Sequence, residues 1–244
     1  MIQLLRFLNQ CIKNSLVTSC VLSLSLAVIP AALADYQPDP TQPPPKGNTT
    51  SSGPRGGCES IDEPPLTVLA PHKHVGLTTS THPTFAWFVP NSKPFPMEFT
   101  LFAYGPDNNL KLVQKISLKS SPGIMKLSLP KDKPGLALGQ SYLWQVSISC
   151  NPNSPSSDVV AEAEIQVVEM SPTLKNALSA TENRLERAKL YAEAGLWYNA
   201  LSEALGSAEN ARLGQVASTL LEDLAKLESP EDSQILSELA SSKR

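Results

Sequence analysis

Proline is distributed unevenly along this 244-residue sequence, and its distribution divides the chain into segments that must fold differently. Thirteen of the 22 prolines lie between residues 58 and 170, whereas only Pro172 and Pro230 come later. Proline interrupts both helices and the interior of sheets, so the first of these regions must consist of short elements separated by turns. The second region is free to form helices.

Residues 58–170 show the alternation typical of strands with one buried face. Between residues 141 and 150, large apolar side chains recur at every second position, beginning with Tyr142 and Trp144. The same period of two predicts seven strands, at residues 66–70, 84–89, 97–104, 111–118, 124–129, 141–150 and 159–168. Seven short strands predict an antiparallel β-sandwich of immunoglobulin or fibronectin III type. On the last strand, Glu162 and Glu164 are expected on the outer, solvated face.

Residues 171–244 are rich in Ala, Leu and Glu and predict helices, which makes the overall fold class α+β. Ser171 and Pro172 form a helix start. One motif resembles a single tetratricopeptide (TPR) repeat and consists of Ala188, Tyr191, Gly195, Trp197, Ala200 and Ala204. A single repeat cannot bury its own face. The hairpin therefore either packs on neighbouring helices or the sandwich, or presents a peptide-binding groove.

Residues 1–34 have the pattern of a secretory signal peptide. Arg6 and Lys13 precede an uncharged run from Leu16 to Ile29. A cleavage site formed by small residues follows and ends at Ala34. The alternatives are an uncleaved anchor, for which the run is short, and lipidation at Cys20. Cleavage after Ala34 predicts a periplasmic or extracellular protein without stable membrane insertion.

The mature chain then begins with a Pro/Gly/Ser/Thr-rich segment, residues 35–57, that predicts a flexible linker. The predicted organisation is a leader (1–34), this linker, a β-sandwich domain (58–170) and an α-helical region (171–244). Loss of Arg6 and Lys13 with the leader changes the formal charge from −3 to −5. Such a charge gives no electrostatic case for a nucleic-acid partner.

Cys58 and Cys150 are the two cysteines that remain after cleavage. In an oxidising compartment they predict one disulfide, which would close a loop of more than ninety residues. Alternating strand directions would bring the two cysteines to the same end of the sandwich. Two unpaired thiols are the alternative, and a metal pair is disfavoured because neither cysteine has a second ligand at close spacing.

The sequence contains no catalytic motif. It lacks the nucleophile elbow G-x-S-x-G, and it also lacks glycine-rich phosphate loops. His72 and His74 could share one face of a strand and bind a metal ion with a third ligand, although a solvated loop is the simpler interpretation. We therefore expect no enzymatic activity and no cofactor.

A series of motifs resembles a cyanobacterial family of secreted proteins of unknown function, domain of unknown function 928. The motifs are RGGC at 55–58, HPTF at 82–85, YLW at 142–144, CNP at 150–152 and ERAKLYAEAGLWYNAL at 186–201. The resemblance implies an exported protein with a β part followed by an α part and a disulfide between the two cysteines. It implies no activity, and it does not extend beyond Ala208.

These observations predict an exported, non-catalytic module that binds another envelope protein or surface component. The candidate surface comprises Phe88 and Phe102, expected on the outer faces of the second and third strands, with Tyr191 and Trp197 of the hairpin. An exposed apolar patch would mark such a module. The alternative is an envelope enzyme or carbohydrate-binding accessory, metal-assisted through His72 and His74, which would require a pocket with converging polar groups. The sequence leaves the oligomeric state open.

Overall fold

Eight strands precede five helices along the part of the chain that the structure describes. This computed structural model describes residues 35–47, 58, 64–90, 93–151, 153, 158–206 and 213–242, so the predicted leader lies outside it. The strands are β1 (Thr67–Val68), β2 (Gly76–Thr78), β3 (Thr84–Val89), β4 (Pro96–Tyr104), β5 (Leu110–Lys119), β6 (Gly123–Ser128), β7 (Ser141–Ile148) and β8 (Val159–Val167). The helices are α1 (Pro172–Ser179), α2 (Arg184–Glu193), α3 (Trp197–Leu205), α4 (Gln215–Ala225) and α5 (Pro230–Ser241). The predicted α+β class is confirmed.

The strands form two sheets whose inner faces share one core. The smaller sheet has the strand order β1-β3-β6, and the larger has the order β2-β8-β7-β4-β5. Neighbouring strands within them are antiparallel except for the parallel pair β2 and β8. The Phe85 ring of β3 lies 5.0 Å from the Phe99 ring of β4 and 4.9 Å from the Trp144 ring of β7, between centroids. The two sheets therefore pack face to face.

All seven predicted strands are present, and the structure adds β2, which the sequence did not predict. Three residues are too few to show an alternating pattern. β2 nevertheless brings its backbone against α3, because a Cβ atom on Gly76 would lie 2.6 Å from the ring of Tyr198. Glycine is therefore required for this close approach.

Two helices begin with a serine cap followed by proline, and the first begins at the predicted pair Ser171 and Pro172. The side chain of Ser171 accepts a hydrogen bond from the backbone N–H of Leu174, and Pro172 occupies the first turn of α1. Ser229 caps α5 in the same way, and Pro230 follows it. In both helices the cap satisfies an N–H group that would otherwise have no partner.

Helices α2 and α3 form the predicted hairpin, and the hairpin packs on the sandwich. Gly195, in the turn, has a φ of +71°, which favours glycine. The indole Nε1 of Trp197 donates a 2.9 Å hydrogen bond to the carbonyl oxygen of Leu69, and the ring of Tyr198 lies 5.9 Å from that of Phe85. The structure thus selects one of the two outcomes that the sequence left open.

Residues 35–47, predicted as linker, instead lie against the fold, and we call them the N-terminal strap. Tyr36 is only 4% exposed and meets the Trp197 ring edge-on at 4.9 Å. The backbone N–H of Gln37 donates to the carbonyl oxygen of Ala192, and that of Val75 donates to the carbonyl oxygen of Pro43. The composition of the strap offers little apolar area, but one tyrosine and a few backbone hydrogen bonds hold it. Residues 48–57 lie outside the described chain.

Glu164 corrects the expectation that both glutamates of β8 are solvated. Its side chain is fully buried, and Oε1 accepts hydrogen bonds from the N–H groups of Lys46 and Gly47 at 2.6 and 2.8 Å. The Tyr104 hydroxyl donates to the same oxygen at 2.6 Å. Strand alternation places Glu164 on the outer face as predicted, but the strap covers that part of the face.

Candidate interaction surface

Strand β5 forms one edge of the larger sheet. It pairs with β4 along Leu110–Lys119, and no strand among the described residues pairs with its other edge. Most of its residues are exposed, and the rest are half-buried. Within the described part of the chain, the second side of β5 is therefore a row of backbone groups without a strand partner.

One end of β5 carries an apolar cluster that the sequence analysis did not single out. Leu110 is 46% exposed, Leu112 is 53% exposed and Val113 is 47% exposed. Phe102 lies opposite Leu112 on β4 and is half-buried. We call these four residues the β5 patch. The sequence signal was available, because Leu112 followed directly by Val113 breaks the period of two.

A β-bulge explains that break. The register between β4 and β5 shifts between Leu101, which lies opposite Gln114, and Phe102, which lies opposite Leu112, so Val113 has no partner on β4. An extra residue of this kind twists an edge and changes the direction of side chains. Leu110 and Leu112 consequently share the outer face with Tyr104 and Phe102.

Strand β5 itself is basic, although the whole chain is acidic. β5 contains Lys111, Lys115 and Lys119 and no acidic residue, whereas the chain has a formal charge of −3. Lys115 forms an ion pair with Glu98 at 2.7 Å. The Nζ atom of Lys46 lies 4.9 Å from the centre of the Tyr104 ring, a cation–π geometry next to Leu110.

Of the four surface residues predicted from sequence, Phe102 lies in this patch and Phe88 lies elsewhere. Phe88 is on β3, between Thr67 of β1 and Ile124 of β6, and it is half-buried against the core. Its position on the smaller sheet separates it from Phe102, which is on the larger sheet. The two phenylalanines therefore do not form one surface.

Trp197 and Tyr191 are not surface residues, which corrects the prediction for the hairpin. Trp197 is fully buried. Its indole N–H donates a hydrogen bond to the Leu69 carbonyl oxygen, and its ring contacts the ring of the strap residue Tyr36. Tyr191 is 6% exposed, and the guanidinium of Arg187 lies 5.9 Å from its ring centre. Both aromatic rings are consequently buried in the fold and do not form an exposed apolar surface.

A small polar cleft lies where the β2–β3 loop meets the hairpin. It has a volume of about 110 Å³ and is lined by Thr78, Ser80, His82, Pro83, Thr84, Tyr191, Tyr198, Asn199, Ser202 and Glu203. Small-molecule sites usually measure about 300–1,000 Å³. The side chain of Asn199 is already hydrogen-bonded to Thr78 and Thr79, and the Ser202 hydroxyl donates a hydrogen bond to the Thr84 hydroxyl. We therefore interpret this cleft as part of the polar contact between α3 and the segment that joins β2 to β3.

His72 and His74 do not converge on a common ligand position. The Nδ1 atom of His72 lies 3.2 Å from Asp232 of α5, whereas Nε2 of His74 lies 2.8 Å from the Tyr36 hydroxyl. Burial lowers the pKa of His74 to about 4. Among the described residues, no group of three His, Cys, Asp or Glu side chains could hold a metal ion.

Two carboxylates of the C-terminal helical part hold the segment that contains these histidines. Glu228 accepts the backbone N–H groups of His72 and Lys73 at 3.0 and 3.1 Å. Burial raises the pKa of Glu228, whereas the interaction with His72 lowers the pKa of Asp232. This arrangement attaches the end of the chain to the loop before β2, and it is structural.

Cys58 and Cys150 form the predicted disulfide, with a Cα–Cα distance of 4.6 Å and a sequence separation of 92. Cys150 follows the end of β7. The cross-link therefore closes a loop that contains β1 to β7, which is most of both sheets. Both cysteines are half-buried.

These features define a two-sheet β protein with a helical segment packed against it and an exposed apolar patch on one edge strand. The chain belongs to the family described as Domain of Unknown Function (DUF928), whose model matches residues 50–235 and so extends beyond Ala208, where the resemblance was expected to end. None of the curated proteins compared with the chain matches it. Within the described ranges, no helix has the length and apolar character needed to cross a membrane.

Proposed function

We propose that this protein is an exported, non-catalytic module that binds another protein of the cell envelope through the β5 patch. The observation that carries the proposal is a concentration of exposed apolar area. Among the described residues, six large hydrophobic side chains are exposed, and Leu110, Leu112 and Val113 are three of them. Scattered exposed leucines are ordinary, whereas a contiguous patch is typical of an interface.

Export is supported by the leader pattern of residues 1–34, with cleavage after Ala34, and by the disulfide between Cys58 and Cys150. Disulfides persist in oxidising compartments and are rare in the cytosol. We therefore place the mature protein in the periplasm or outside the cell, in line with its resemblance to secreted cyanobacterial proteins.

A binding role agrees better with the geometry than the alternative of a metal-assisted enzyme or a carbohydrate-binding accessory. His72 and His74 are directed to Asp232 and Tyr36, and the polar cleft at the hairpin is small. The proposal therefore includes no cofactor, no catalytic residue and no nucleic-acid partner. Its partner is a protein, because proteins offer apolar surfaces that complement the patch.

We also propose that the sandwich is of the immunoglobulin or fibronectin III type. In support, β1, β3 and β6 share one sheet, while β4, β7 and β8 share the other, as in that architecture. The backbone N–H of Ala137 donates to the Tyr142 hydroxyl at 2.8 Å, a contact similar to the tyrosine corner of these domains. The TPR likeness of the hairpin stays a prediction.

Site-specific photo-crosslinking tests the binding role. A photoreactive phenylalanine derivative replaces Leu112 in the full chain, expressed in its own cells, and a matched probe replaces Leu185, an exposed leucine of α2 (56% exposed). We expect a discrete adduct with one envelope protein from position 112 and none from position 185.

Competition with purified mature protein completes the test. An excess of the unlabelled protein should abolish the adduct, whereas the Leu112→Ser protein should compete at least tenfold less well. The Leu185→Ser protein should compete like the wild type. Equal adducts from both positions, or full competition by Leu112→Ser, would contradict the proposal.

A further inference from the structure

We infer that the partner of the β5 patch supplies an extended segment with acidic residues, which pairs with β5 and adds a strand to the larger sheet. This inference rests on the proposed function and specifies the chemistry of the partner. It follows from three properties of β5: its free backbone edge, the position of its apolar side chains and its charge.

The free edge determines the conformation of the partner. β5 is ten residues long, and its second edge has no strand partner among the described residues. Leu110 and Leu112 are two positions apart and lie on the outer face, next to Tyr104 and Phe102 of β4. A strand that pairs with β5 would place its alternate side chains in line with that apolar row. An incoming helix would cover the side chains but would leave the edge unpaired.

The charge of β5 determines the composition of the partner. Lys119 lies opposite Pro96 of the outer face and Lys111 lies opposite Ala103, whereas Lys115, opposite Thr100, already forms an ion pair with Glu98. Charges of opposite sign on neighbouring strands stabilise their pairing, and like charges destabilise it. The apolar residues and lysines therefore favour a segment that is apolar at one end and acidic at the other.

The same lysines oppose pairing with a second copy of this chain. Two β5 strands meeting edge to edge would bring together two sets of three lysines, with no acidic residue on either strand. Edge lysines and bulges are also the usual means by which sheets avoid self-association. β5 thus excludes its own copy while it still exposes Leu110, Leu112 and Val113.

Two labelled peptides test the inference on the mature protein. One is a ten-residue peptide whose first half alternates valine and threonine and whose second half alternates glutamate and threonine. The other has lysine in place of each glutamate. We expect fluorescence anisotropy to show binding of the glutamate peptide at low salt, and at least tenfold weaker binding of the lysine peptide. Lys119→Glu should weaken binding of the glutamate peptide about tenfold, whereas Lys175→Glu, an equal charge change on exposed α1, should not.

Amide hydrogen exchange locates the bound peptide. Strand addition predicts slower exchange of amides within Leu110–Lys119, because edge N–H groups become hydrogen-bonded. The inference is overturned if protection falls outside β5, if both peptides bind equally, or if neither protects β5 at about 1 mM peptide. It is also overturned if sedimentation shows a dimer that Leu112→Ser dissociates. A partner crosslinked at position 112 together with a negative peptide result would reject strand addition and leave the proposed function standing.

Discussion

The indole Nε1 of Trp144 donates a 2.7 Å hydrogen bond to the hydroxyl of Tyr198, which itself donates to the backbone carbonyl oxygen of Glu164 at 3.0 Å. The three residues belong to β7, α3 and β8. All three are buried. A single hydroxyl group therefore joins the helical part to two neighbouring strands of the larger sheet, inside the core.

Tyr198→Phe tests the importance of this hydroxyl. The substitution keeps the ring but leaves the Trp144 N–H and the Glu164 carbonyl without that partner. An unsatisfied buried polar group costs about 1–3 kcal/mol, so we expect the free energy of unfolding to fall by about 2–4 kcal/mol. Urea unfolding followed by tryptophan fluorescence measures it.

Tyr191→Phe is the matched control, because the Tyr191 hydroxyl has no hydrogen bond to another described residue and its ring contact with Arg187 would persist. We expect its effect to stay within about 0.5 kcal/mol. Equal destabilisation by the two variants would show that the hydroxyl of Tyr198 has no special role.

Strong local patterns were predictable from the sequence, as Trp144 and Ser171 illustrate. The alternation around Trp144 predicts that its side chain lies on the inner face of a strand, and Trp144 is fully buried. The pair Ser171 and Pro172 predicts a helix start, and a helix begins there. Both are local properties of a few consecutive residues. The disulfide was also predictable, because Cys58 and Cys150 are the two cysteines outside the predicted leader.

Properties that depend on distant segments were not predictable. Glu164 alternates correctly, but its burial depends on Lys46 and Gly47, which are more than a hundred residues away. The role of Trp197 depends on Tyr36, in a segment that its composition assigns to a linker. The edge position of β5 follows from the strand order, and no periodicity reports that order.

Glu164 and Glu162 offer a second prediction, since they are two residues apart on one face of β8. In Glu164→Gln the neutral amide oxygen accepts weaker hydrogen bonds from Lys46, Gly47 and Tyr104, and its NH₂ group enters a buried site. We expect a loss of about 1.5–3 kcal/mol in unfolding free energy and faster amide exchange at Lys46 and Gly47.

We expect Glu162→Gln, unlike Glu164→Gln, not to lower the free energy of unfolding at pH 7. Burial, and then the charge of Glu164, raise the pKa of Glu162. A raised carboxyl pKa means that the contribution of Glu162 to stability is complete below the unfolded pKa and is lost as pH rises through the folded pKa. The glutamine variant should therefore be as stable as the wild type or more stable at pH 7, and this advantage should disappear as pH falls through the raised pKa of Glu162 towards the ordinary value of 4.5. Destabilisation at pH 7 would contradict this account.

The third prediction concerns acid sensitivity at His74. Burial lowers its pKa from 6.5 to about 4, so the unfolded chain binds a proton at a higher pH than the folded chain. The stability that depends on neutral His74 is complete above about pH 6.5 and is lost as pH falls towards 4. We expect His74→Gln to lose less stability than the wild type between pH 7 and pH 4.5, measured by urea unfolding.

The pH dependence of the wild type must be compared with that of His74→Gln, because Glu228 changes stability with pH in the opposite direction to His74. Burial raises the pKa of Glu228, so its contribution to stability grows as pH falls through that value. The difference between the wild type and His74→Gln cancels this contribution. Leu185→Gln, a change at an exposed position of α2 that alters no titratable group, is the control and should follow the wild type. Parallel pH profiles for the wild type and His74→Gln would refute the prediction.

The fourth prediction concerns the cross-link between Cys58 and Cys150. For a sequence separation of 92, the chain-entropy model gives about 4–5 kcal/mol of stabilisation from the restricted unfolded chain. We expect the double variant Cys58→Ser/Cys150→Ser, which leaves no unpaired thiol at these positions, to lose that amount in urea unfolding. Dithiothreitol should lower the stability of the wild type to the level of the double variant and should not affect the variant itself. If dithiothreitol changes neither protein, the bond does not contribute to stability.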